Sequence, residues 1–471
     1  MKKIYLAIIF IFSIVLVSCQ EAQTDPGETP DDKEKSFNLD KDETYYYYVY
    51  GNLDDETMPI GGWSDLPGPN FGGVYDNPDL ISDENYALVK ASGINTIYGL
   101  FNNMAINQDY VMRSLDAAGN NGINYLVRDN QVTSSFDDED YVYLERALNK
   151  YKDHKAFAGS MIVDEPGTVS FDMLGNLHKN YADILKDDSK MFYINMLPNY
   201  ASNNQLVNGA GGGQIQDKTM TYERYMREYI EKVRPKAYSF DFYPYIGLEF
   251  GDMREDYFDQ LSIIREISNE YGIPYWVFIQ ASTWSPGHLR VPYQVEVDWQ
   301  VATSIMYGSK GIQYFMYYTS MEEWAESYEG GMVDKYGNKN PMYDYVKQNN
   351  EHILEIDHLL LHASHHGIMT HGSEPIPVPN TDKLDQFSIL DVKNISGSPV
   401  LIGLFNYFGK PLYYVVNSSL TETANVTLNL DYNVTYNLFA GSDVNSKNGQ
   451  TITLSIPAGQ GQLIEVAGFN E

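Results

Sequence analysis

The sequence predicts an α/β fold in which a (β/α)8 barrel is followed by a small C-terminal antiparallel β-sandwich. Short apolar runs rich in β-branched and aromatic residues alternate with segments of helical periodicity, which is the pattern of strands buried on both faces. From about residue 380 the helical segments give way to short alternating strands with turn residues between them. A chain of 471 residues has room for both domains.

The first residues resemble a bacterial lipoprotein signal. "MKK" is followed by an apolar run and then by "LVSC", which ends at Cys19. The run is short for a membrane span of ~20 residues. We therefore expect residues 1–19 to be a signal peptide and Cys19 to be acylated. This predicts a protein anchored by lipid alone to a bacterial membrane, the outer membrane, on its periplasmic or cell-surface face.

Residues 20–43 are rich in Asp, Glu, Pro and Thr and predict a disordered acidic tether. Because Cys19 is the single cysteine, disulfides and thiolate catalysis are excluded. The net charge of -32 argues against nucleic acid as a partner, since phosphates are repelled. A neutral ligand fits better. The abundance of tyrosine is typical first of a large aromatic core and also of surfaces that stack on sugar rings.

The barrel is predicted over residues 44–365. Its eight expected strands are 45–51, 94–101, 123–129, 157–165, 190–197, 237–245, 274–282 and 311–318. Helical segments separate them; in one, Ser82 is the expected N-cap and Gly93 the stop. A doubly wound open sheet is the alternative, but its nucleotide-binding fingerprints are absent from the sequence. The β-sandwich is predicted over residues 380–471.

Polar residues at the carboxyl ends of barrel strands are the candidates for chemistry. Asp164 and Glu165 end the fourth strand, and Asp241 lies near the end of the sixth. Amide, aromatic and basic side chains at the same rim are candidates for substrate binding: Trp63, Asn102, Arg128, Asn195, Tyr243, Tyr245, Gln280, Trp284, His288 and Tyr317. Carboxylates and amides bind sugar hydroxyls, and aromatic faces stack on sugar rings.

Glycosidases need a carboxylic acid for the leaving oxygen and a second group at the sugar carbon. Glu165 is the predicted general acid/base, because a strand end packed against aromatic residues raises the pKa of a carboxyl group. Asp164 is expected to orient the substrate or tune Glu165. Asp241 is the reserve second carboxylate.

The motif "VDEP" at residues 163–166 resembles the end of the fourth strand in clan A glycoside hydrolases and related Bacteroidota barrel families. The tract from Val297 to Tyr318 resembles the last helix and strand of family 42-like barrels. This resemblance covers residues 45–360 as architecture and implies glycosidase activity with Glu165 as acid/base. Two positions depart from it: Asp164 stands where clan A has Asn, and Gln280 where it has a nucleophilic Glu.

The Asp164–Glu165 pair instead resembles the substrate-assisted hexosaminidases of families 20 and 123, in which Asp orients the substrate's acetamido group. Successive strand residues face opposite sides, so both carboxyls can serve only if the strand bends near Pro166. The alternative is an inverting pair of Glu165 with Asp241, separated by about 6.5 to 9.5 Å. A non-catalytic glycan-binding lipoprotein on a hydrolase-like barrel is the competing function.

Four histidines lie close together at residues 362–371: His362, His365, His366 and His371. His-rich tracts bind metal in some proteins, but this one follows no strand end and has no H-E-x-x-H pattern. We interpret it as a linker between the domains and expect neither a metal nor another cofactor.

Overall fold

The computed structural model describes residues 48–70, 77–135, 141–284, 290–319, 328–372, 376–379, 381, 392–440 and 443–469. These residues belong to one compact unit, Phe37–Glu471. The predicted signal peptide with Cys19, the predicted tether and His288 lie outside the described residues, as does the other unit, Met1–Ser36. Within the described part of the chain, no helix is long and apolar enough to cross a membrane.

Eight parallel strands close into a barrel, which confirms the predicted fold class. The barrel strands are β1 (Ile60–Trp63), β2 (Thr96–Asn103), β3 (Asn124–Arg128), β4 (Phe157–Asp164), β5 (Met191–Met196), β6 (Tyr238–Phe240), β7 (Tyr275–Gln280) and β9 (Gly311–Phe315). A two-stranded ribbon on the loops consists of β8 (Thr283–Trp284) and β10 (Tyr328–Glu329). The helices are α1 (Asp83–Ala91), α2 (Gln108–Asn120), α3 (Asn130–Thr133), α4 (Tyr141–Leu148), α5 (Phe171–Leu185), α6 (Asn203–Asn208), α7 (Tyr222–Val233), α8 (Tyr257–Tyr271), α9 (Gln294–Met306) and α10 (Pro341–Leu361).

The first barrel strand is not where the sequence predicts it. Residues 48–51 form no strand, and β1 is Ile60–Trp63, which pairs with β2 and β9 to close the barrel. Gly61 and Gly62 have low strand propensity, so the sequence pattern does not indicate a strand at this position. A Cβ at Gly61 would lie 2.6 Å from a ring carbon of Tyr98, so only glycine fits there. The other seven predicted strands each overlap an observed one.

Residues 48–51, which precede β1, form part of the barrel floor instead. The ring of Tyr50 packs edge-on against Trp276 with centroids 4.9 Å apart. A Cβ at Gly51 would meet Asn124 and Ala158, and the Gly51 N–H donates to the Ser189 carbonyl at 2.9 Å. All these contacts are at or before the amino ends of strands. Among residues 48–51, Tyr50 is buried at the floor and none belongs to a strand.

Both ends of helix α1 lie where the capping residues of the sequence predict them. The Ser82 hydroxyl accepts the N–H of Asn85 at 3.2 Å, which caps the amino end. Gly93 follows the carboxyl end at a φ of +85°. Helix α5 ends differently, because Lys186 takes the left-handed conformation without being glycine.

A seven-stranded antiparallel sheet follows the barrel. Its strands are β11 (Ser364–His371), β12 (Val392–Gly397), β13 (Val400–Tyr407), β14 (Lys410–Asn417), β15 (Ala424–Ala440), β16 (Asp443–Ile456) and β17 (Gly461–Phe469). The long strand β15 shifts register between Asn429 and Val434, pairing with β12 before the shift and with β17 after it. The sheet encloses an apolar cluster of its own, as expected for a β-sandwich-like domain.

The histidine tract is part of this sheet. Strand β11 pairs with β13 along its length, so the interpretation as a linker is wrong. His365 is buried, and its Nε2 lies 2.9 Å from the Met306 carbonyl while its Nδ1 accepts from Arg265 at 2.9 Å. Among the described residues, no group of three or more His, Cys, Asp or Glu side chains is arranged to hold a metal ion.

Candidate active site

An open cavity of about 990 Å³ lies at the carboxyl ends of the barrel strands. Six of the predicted site residues line it: Trp63, Asp164, Glu165, Asn195, Asp241 and Tyr243. Five residues that the sequence does not single out complete the wall: Leu100, Tyr200, Phe278, Phe315 and Tyr328. Three carboxyl groups and a ring of aromatic side chains therefore share one space.

The end of β4 bends so that two consecutive carboxylates reach this cavity. The pairing of β4 with β5 shifts register between Met161 and Val163, which places Asp164 beside Asn195. Glu165 then has a φ of +48°, the left-handed region that non-glycine residues rarely occupy. This reversal breaks the alternation of a strand and directs both side chains to the cavity.

Backbone contacts hold Glu165 in this conformation. Its N–H donates to the Asn195 carbonyl at 2.8 Å, and its own carbonyl accepts from the Ala210 N–H at 3.1 Å. The next residue, Pro166, accepts the Tyr225 hydroxyl at 2.7 Å. A Cβ at Gly167 would lie 2.3 Å from the Gly209 nitrogen, so the loop after β4 packs backbone against backbone there.

Asn195 joins two of the three carboxyl groups. Its Nδ2 donates to Asp164 Oδ1 at 3.1 Å and to Asp241 Oδ1 at 3.1 Å. Its Oδ1 accepts the Ser239 hydroxyl at 3.0 Å. The amide therefore has one orientation that satisfies all three contacts.

The crowding of carboxyl groups raises their pKa values. Asp241 is 9 % exposed, and its burial, with the charges of Glu165 and Asp164, raises its pKa well above the usual range. Asp164 opens onto the cavity, yet the barrel wall limits its hydration, and this desolvation raises its pKa to about 6. The bond from Asn195 opposes both shifts. Burial therefore favours the protonated form of both aspartates more than water does, and at Asp241 the neighbouring charges add to this effect.

The cavity wall is aromatic and, among the described lining residues, carries no Lys or Arg. The Trp63 ring packs against Phe278 with centroids 5.5 Å apart, and Phe315 lies 5.4 Å from both Tyr243 and Tyr328. At the rim, the Arg254 guanidinium lies 4.0 Å over the ring of Tyr200 and pairs with Asp256 at 2.9 Å. An uncharged ligand with apolar faces suits such a wall.

Gln280 and Tyr245, both predicted to bind substrate, are structural. Gln280 is fully buried, and its side-chain amide accepts the Tyr245 N–H at 3.0 Å and donates to the Tyr245 carbonyl at 3.2 Å. Tyr245 is also fully buried, with its hydroxyl on the Glu296 carbonyl at 3.3 Å. The side chain at the clan A nucleophile position therefore fixes the loop after β6 and does not line the cavity.

Three other residues predicted to bind substrate support the wall from outside: Asn102, Arg128 and Tyr317. The Asn102 amide donates to Asp65 at 2.6 Å, and Arg128 donates to the Leu100 carbonyl at 2.6 Å. Tyr317 is 1 % exposed, and its N–H donates to the Trp63 carbonyl. The remaining two predictions stay untested, because Trp284 is described only as a strand residue and His288 lies outside the described residues.

Two of the five additional lining residues, Phe278 and Tyr200, have a signal in the sequence. Phe278 lies two residues before Gln280 in β7, so strand alternation places it in the barrel interior, where it packs against Trp63. Tyr200 follows β5 by four residues, within the loop that the strand-end rule covers. Tyr328 pairs with Trp284 across the ribbon, a contact with no local sequence signature.

No protein-family profile matches the chain, and no curated protein matches its sequence. Glycoside hydrolases of several families are among the solved structures that resemble it. A β-galactosidase from the psychrophilic Marinomonas ef1 is 12% identical with a TM-score of 0.44, over 64% of this chain and 60% of that one. An exo-β-1,4-mannosidase from Opitutaceae bacterium strain TAV5 is 11% identical with a TM-score of 0.41, over 68% and 63%.

A β-glucuronidase from Ruminococcus gnavus is 10% identical with a TM-score of 0.41, over 62% of this chain and 50% of that one. The chain thus spans less than two thirds of each of these three enzymes. At such identities and scores the likenesses carry no information on the substrate or the reacting residues of this chain.

Proposed function

We propose that this protein is a glycoside hydrolase that cleaves O-glycosidic bonds of a neutral poly- or oligosaccharide, with Glu165 as the general acid/base. The observation that carries the proposal is the convergence of Asp164, Glu165 and Asp241 in an aromatic-walled cavity at the carboxyl ends of the barrel strands. Two carboxyl groups are the minimum for glycoside hydrolysis, and aromatic walls suit sugar rings.

In the proposed reaction, Glu165 gives a proton to the oxygen of the leaving sugar as the bond to the anomeric carbon breaks. The other carboxyl groups stabilise the positive charge that develops on the remaining sugar ring. The anomeric carbon then bonds to the oxygen of a water molecule, and a carboxylate takes the proton of that water. Asp241 is the stronger candidate for the second reacting group, since it faces Glu165 closely enough for their charges to interact. Asp164 orients the sugar or tunes Glu165.

A neutral substrate follows from the charge of the wall. The described lining residues bring three carboxyl groups and no basic side chain, so a uronate or a sulfated sugar meets repulsion there. Arg254 at the rim is already paired with Asp256.

The test is product analysis by mass spectrometry after incubation of the protein with plant, host and microbial glycans. Wild type is compared with Glu165→Gln and with Glu145→Gln, a matched change of an exposed carboxylate on α4. We expect release by wild type and Glu145→Gln and at least a 100-fold slower release by Glu165→Gln.

A second substrate set separates the roles of the carboxyl groups. Aryl glycosides with good leaving groups need no proton donor. They therefore restore turnover to Glu165→Gln, but not to a variant that lacks the carboxyl group acting at the anomeric carbon. Asp241→Asn and Asp164→Asn are compared on the same substrates. NMR of the first-formed anomer then distinguishes inversion from retention.

Two outcomes contradict the proposal. Equal release by wild type and Glu165→Gln removes Glu165 from its role. Absence of release on every glycan, with binding retained, identifies a glycan-binding protein on a hydrolase-like barrel.

A further inference from the structure

A chain of buried hydrogen bonds runs through the barrel interior beneath the cavity. The hydroxyls of Tyr98 and Tyr193 donate to Gln313 Oε1, the latter at 2.8 Å. Gln313 Nε2 donates to Ser239 Oγ at 2.8 Å, and Ser239 donates to Asn195 Oδ1 at 3.0 Å. All five side chains are at most 4 % exposed. No water competes for these bonds, so their partners are fixed.

With Ser239 donating to Asn195, the bonds run from the phenols toward the carboxyl groups; the Tyr193 hydroxyl also lies 3.0 Å from Ser239 Oγ, a contact in which either group can donate. The phenols are the donors at one end, and the carboxyl groups of Asp164 and Asp241 are the acceptors at the other. If the Asn195 amide were reversed, its oxygen would face both carboxyl groups with no hydrogen between them once these are ionised, and the Ser239 hydroxyl would lose its acceptor on Asn195. The chain therefore selects one amide orientation.

We propose that Ser239 and Gln313 are positioning residues: they fix the Asn195 amide so that it donates to both Asp164 and Asp241, which lets these crowded carboxyl groups ionise beside Glu165. A hydrogen bond to an ionised carboxylate stabilises that form against desolvation and like charge. This inference deepens the proposed function and rests on it for its effect on turnover, but not for its effect on ionisation.

Asn195 is a main partner that stabilises the ionised forms of Asp164 and Asp241. The titratable groups whose charges interact with Asp241 are Asp164, Glu165, Tyr193, Tyr200, Tyr222 and Tyr243. Each of these is neutral or negative, and each tyrosine has its pKa raised by burial first. Arg254, at the rim, interacts with Tyr200 and pairs with Asp256. The hydrogen bond from Asn195 thus favours the ionised aspartates, whereas burial and the neighbouring carboxyl groups disfavour them.

The test measures ionisation directly. Protein labelled with ¹³C at aspartate carboxyl carbons is titrated by NMR, and the two signals are assigned by their loss in Asp164→Asn and Asp241→Asn. Ser239→Ala removes the donor to Asn195 Oδ1, so we expect the midpoints of both aspartates to rise, by about 0.5 to 1 pH unit. The acidic limb of the pH–rate profile moves upward by the same amount.

Ser160→Ala is the matched control. Ser160 is equally buried and lies on β4, but its hydroxyl contacts Tyr181 at 3.1 Å and not the chain of bonds under the cavity. We expect no change of midpoint in this variant. If Ser239→Ala fails to fold, Ser239→Cys keeps the size of the side chain with a weaker donor, and a rise is expected again.

Unchanged midpoints in a folded Ser239 variant overturn the proposal, as does an equal rise in Ser160→Ala. A raised midpoint in a protein that hydrolyses no glycan supports the positioning role and refutes the proposed function. The two failures are thus distinguishable.

Discussion

Asp164 and Glu165 are consecutive residues, yet both line the same cavity, because Glu165 has a φ of +48°. Ordinary strand geometry would place one of them on the outer face of the barrel. The left-handed residue is held by the backbone of Asn195 and Ala210 and not by a glycine of its own. A side chain kept at a strained position is typical of a functional site.

The strain at Glu165 predicts a gain of stability on replacement by glycine. A non-glycine residue in the left-handed region costs roughly 1 to 2 kcal/mol, part of which the flexibility of unfolded glycine offsets. Glu165→Gly should therefore raise or maintain the free energy of unfolding, measured in urea, while turnover is lost. Lys186→Gly, at a φ of +53° outside the cavity, is the control that should gain stability and keep activity. A large loss of stability in Glu165→Gly would show that its side chain is structural.

The raised pKa of Asp241 predicts that Asp241→Asn stabilises the fold above about pH 4. Below that pH both folded and unfolded states are protonated, and the substitution has little effect. At higher pH the unfolded state ionises while the folded state stays protonated, so folding is disfavoured increasingly until the pKa of the folded state is reached. Thermal unfolding from pH 3.5 to 8 measures this gain. Asp217, whose pKa is lowered by Thr219 and Arg224, should show the opposite sign in Asp217→Asn.

Gln280→Glu should not install a nucleophile. The Gln280 amide is fully buried and makes two bonds to the Tyr245 backbone, so a carboxylate there would face the Tyr245 carbonyl without a donor. We expect a loss of about 1 to 3 kcal/mol in the free energy of unfolding and no gain of activity. Gln131→Glu, on the exposed side of α3, is the comparison. A stable and faster Gln280→Glu enzyme would refute this assignment.

Tyr200→Ala should weaken substrate binding. Its ring is 40 % exposed at the cavity rim and is held by Arg254 at 4.0 Å, so it is available to a sugar face. Loss of a stacking contact of about 1 kcal/mol raises KM roughly fivefold with little change in kcat. Steady-state kinetics measure this split. Tyr336→Ala, at a side chain that is 51 % exposed and absent from the cavity wall, should leave both constants unchanged.

The lipobox around Cys19 predicts that Cys19→Ser moves the protein from the membrane fraction to the soluble fraction of the producing cells. Fractionation with immunoblotting measures the shift, and mass spectrometry of the released N-terminal peptide detects the acyl chains. Ser18→Ala keeps the small residue before the cysteine and should stay in the membrane fraction. Membrane retention of Cys19→Ser would contradict lipid anchoring.

The sequence predicts the barrel because most of its strands are apolar runs between amphipathic helices. It fails at β1, since the glycines of that strand are required by the closeness of Tyr98 and carry no strand propensity. It predicts that Asp164, Glu165 and Asp241 lie at one rim because they end strands, and the three line one cavity. Gln280 was misassigned because its position alone does not reveal that its amide bonds Tyr245, a contact between distant parts of the chain.

The position of the floor segment around Tyr50 determines at which end of the barrel the described part of the chain begins. It joins the barrel among the amino ends of the strands, through contacts with Trp276 and Ser189, while the cavity is at the carboxyl ends. A support coupled to the chain near Tyr48 therefore lies at the end of the barrel opposite to Asp164, Glu165 and Asp241.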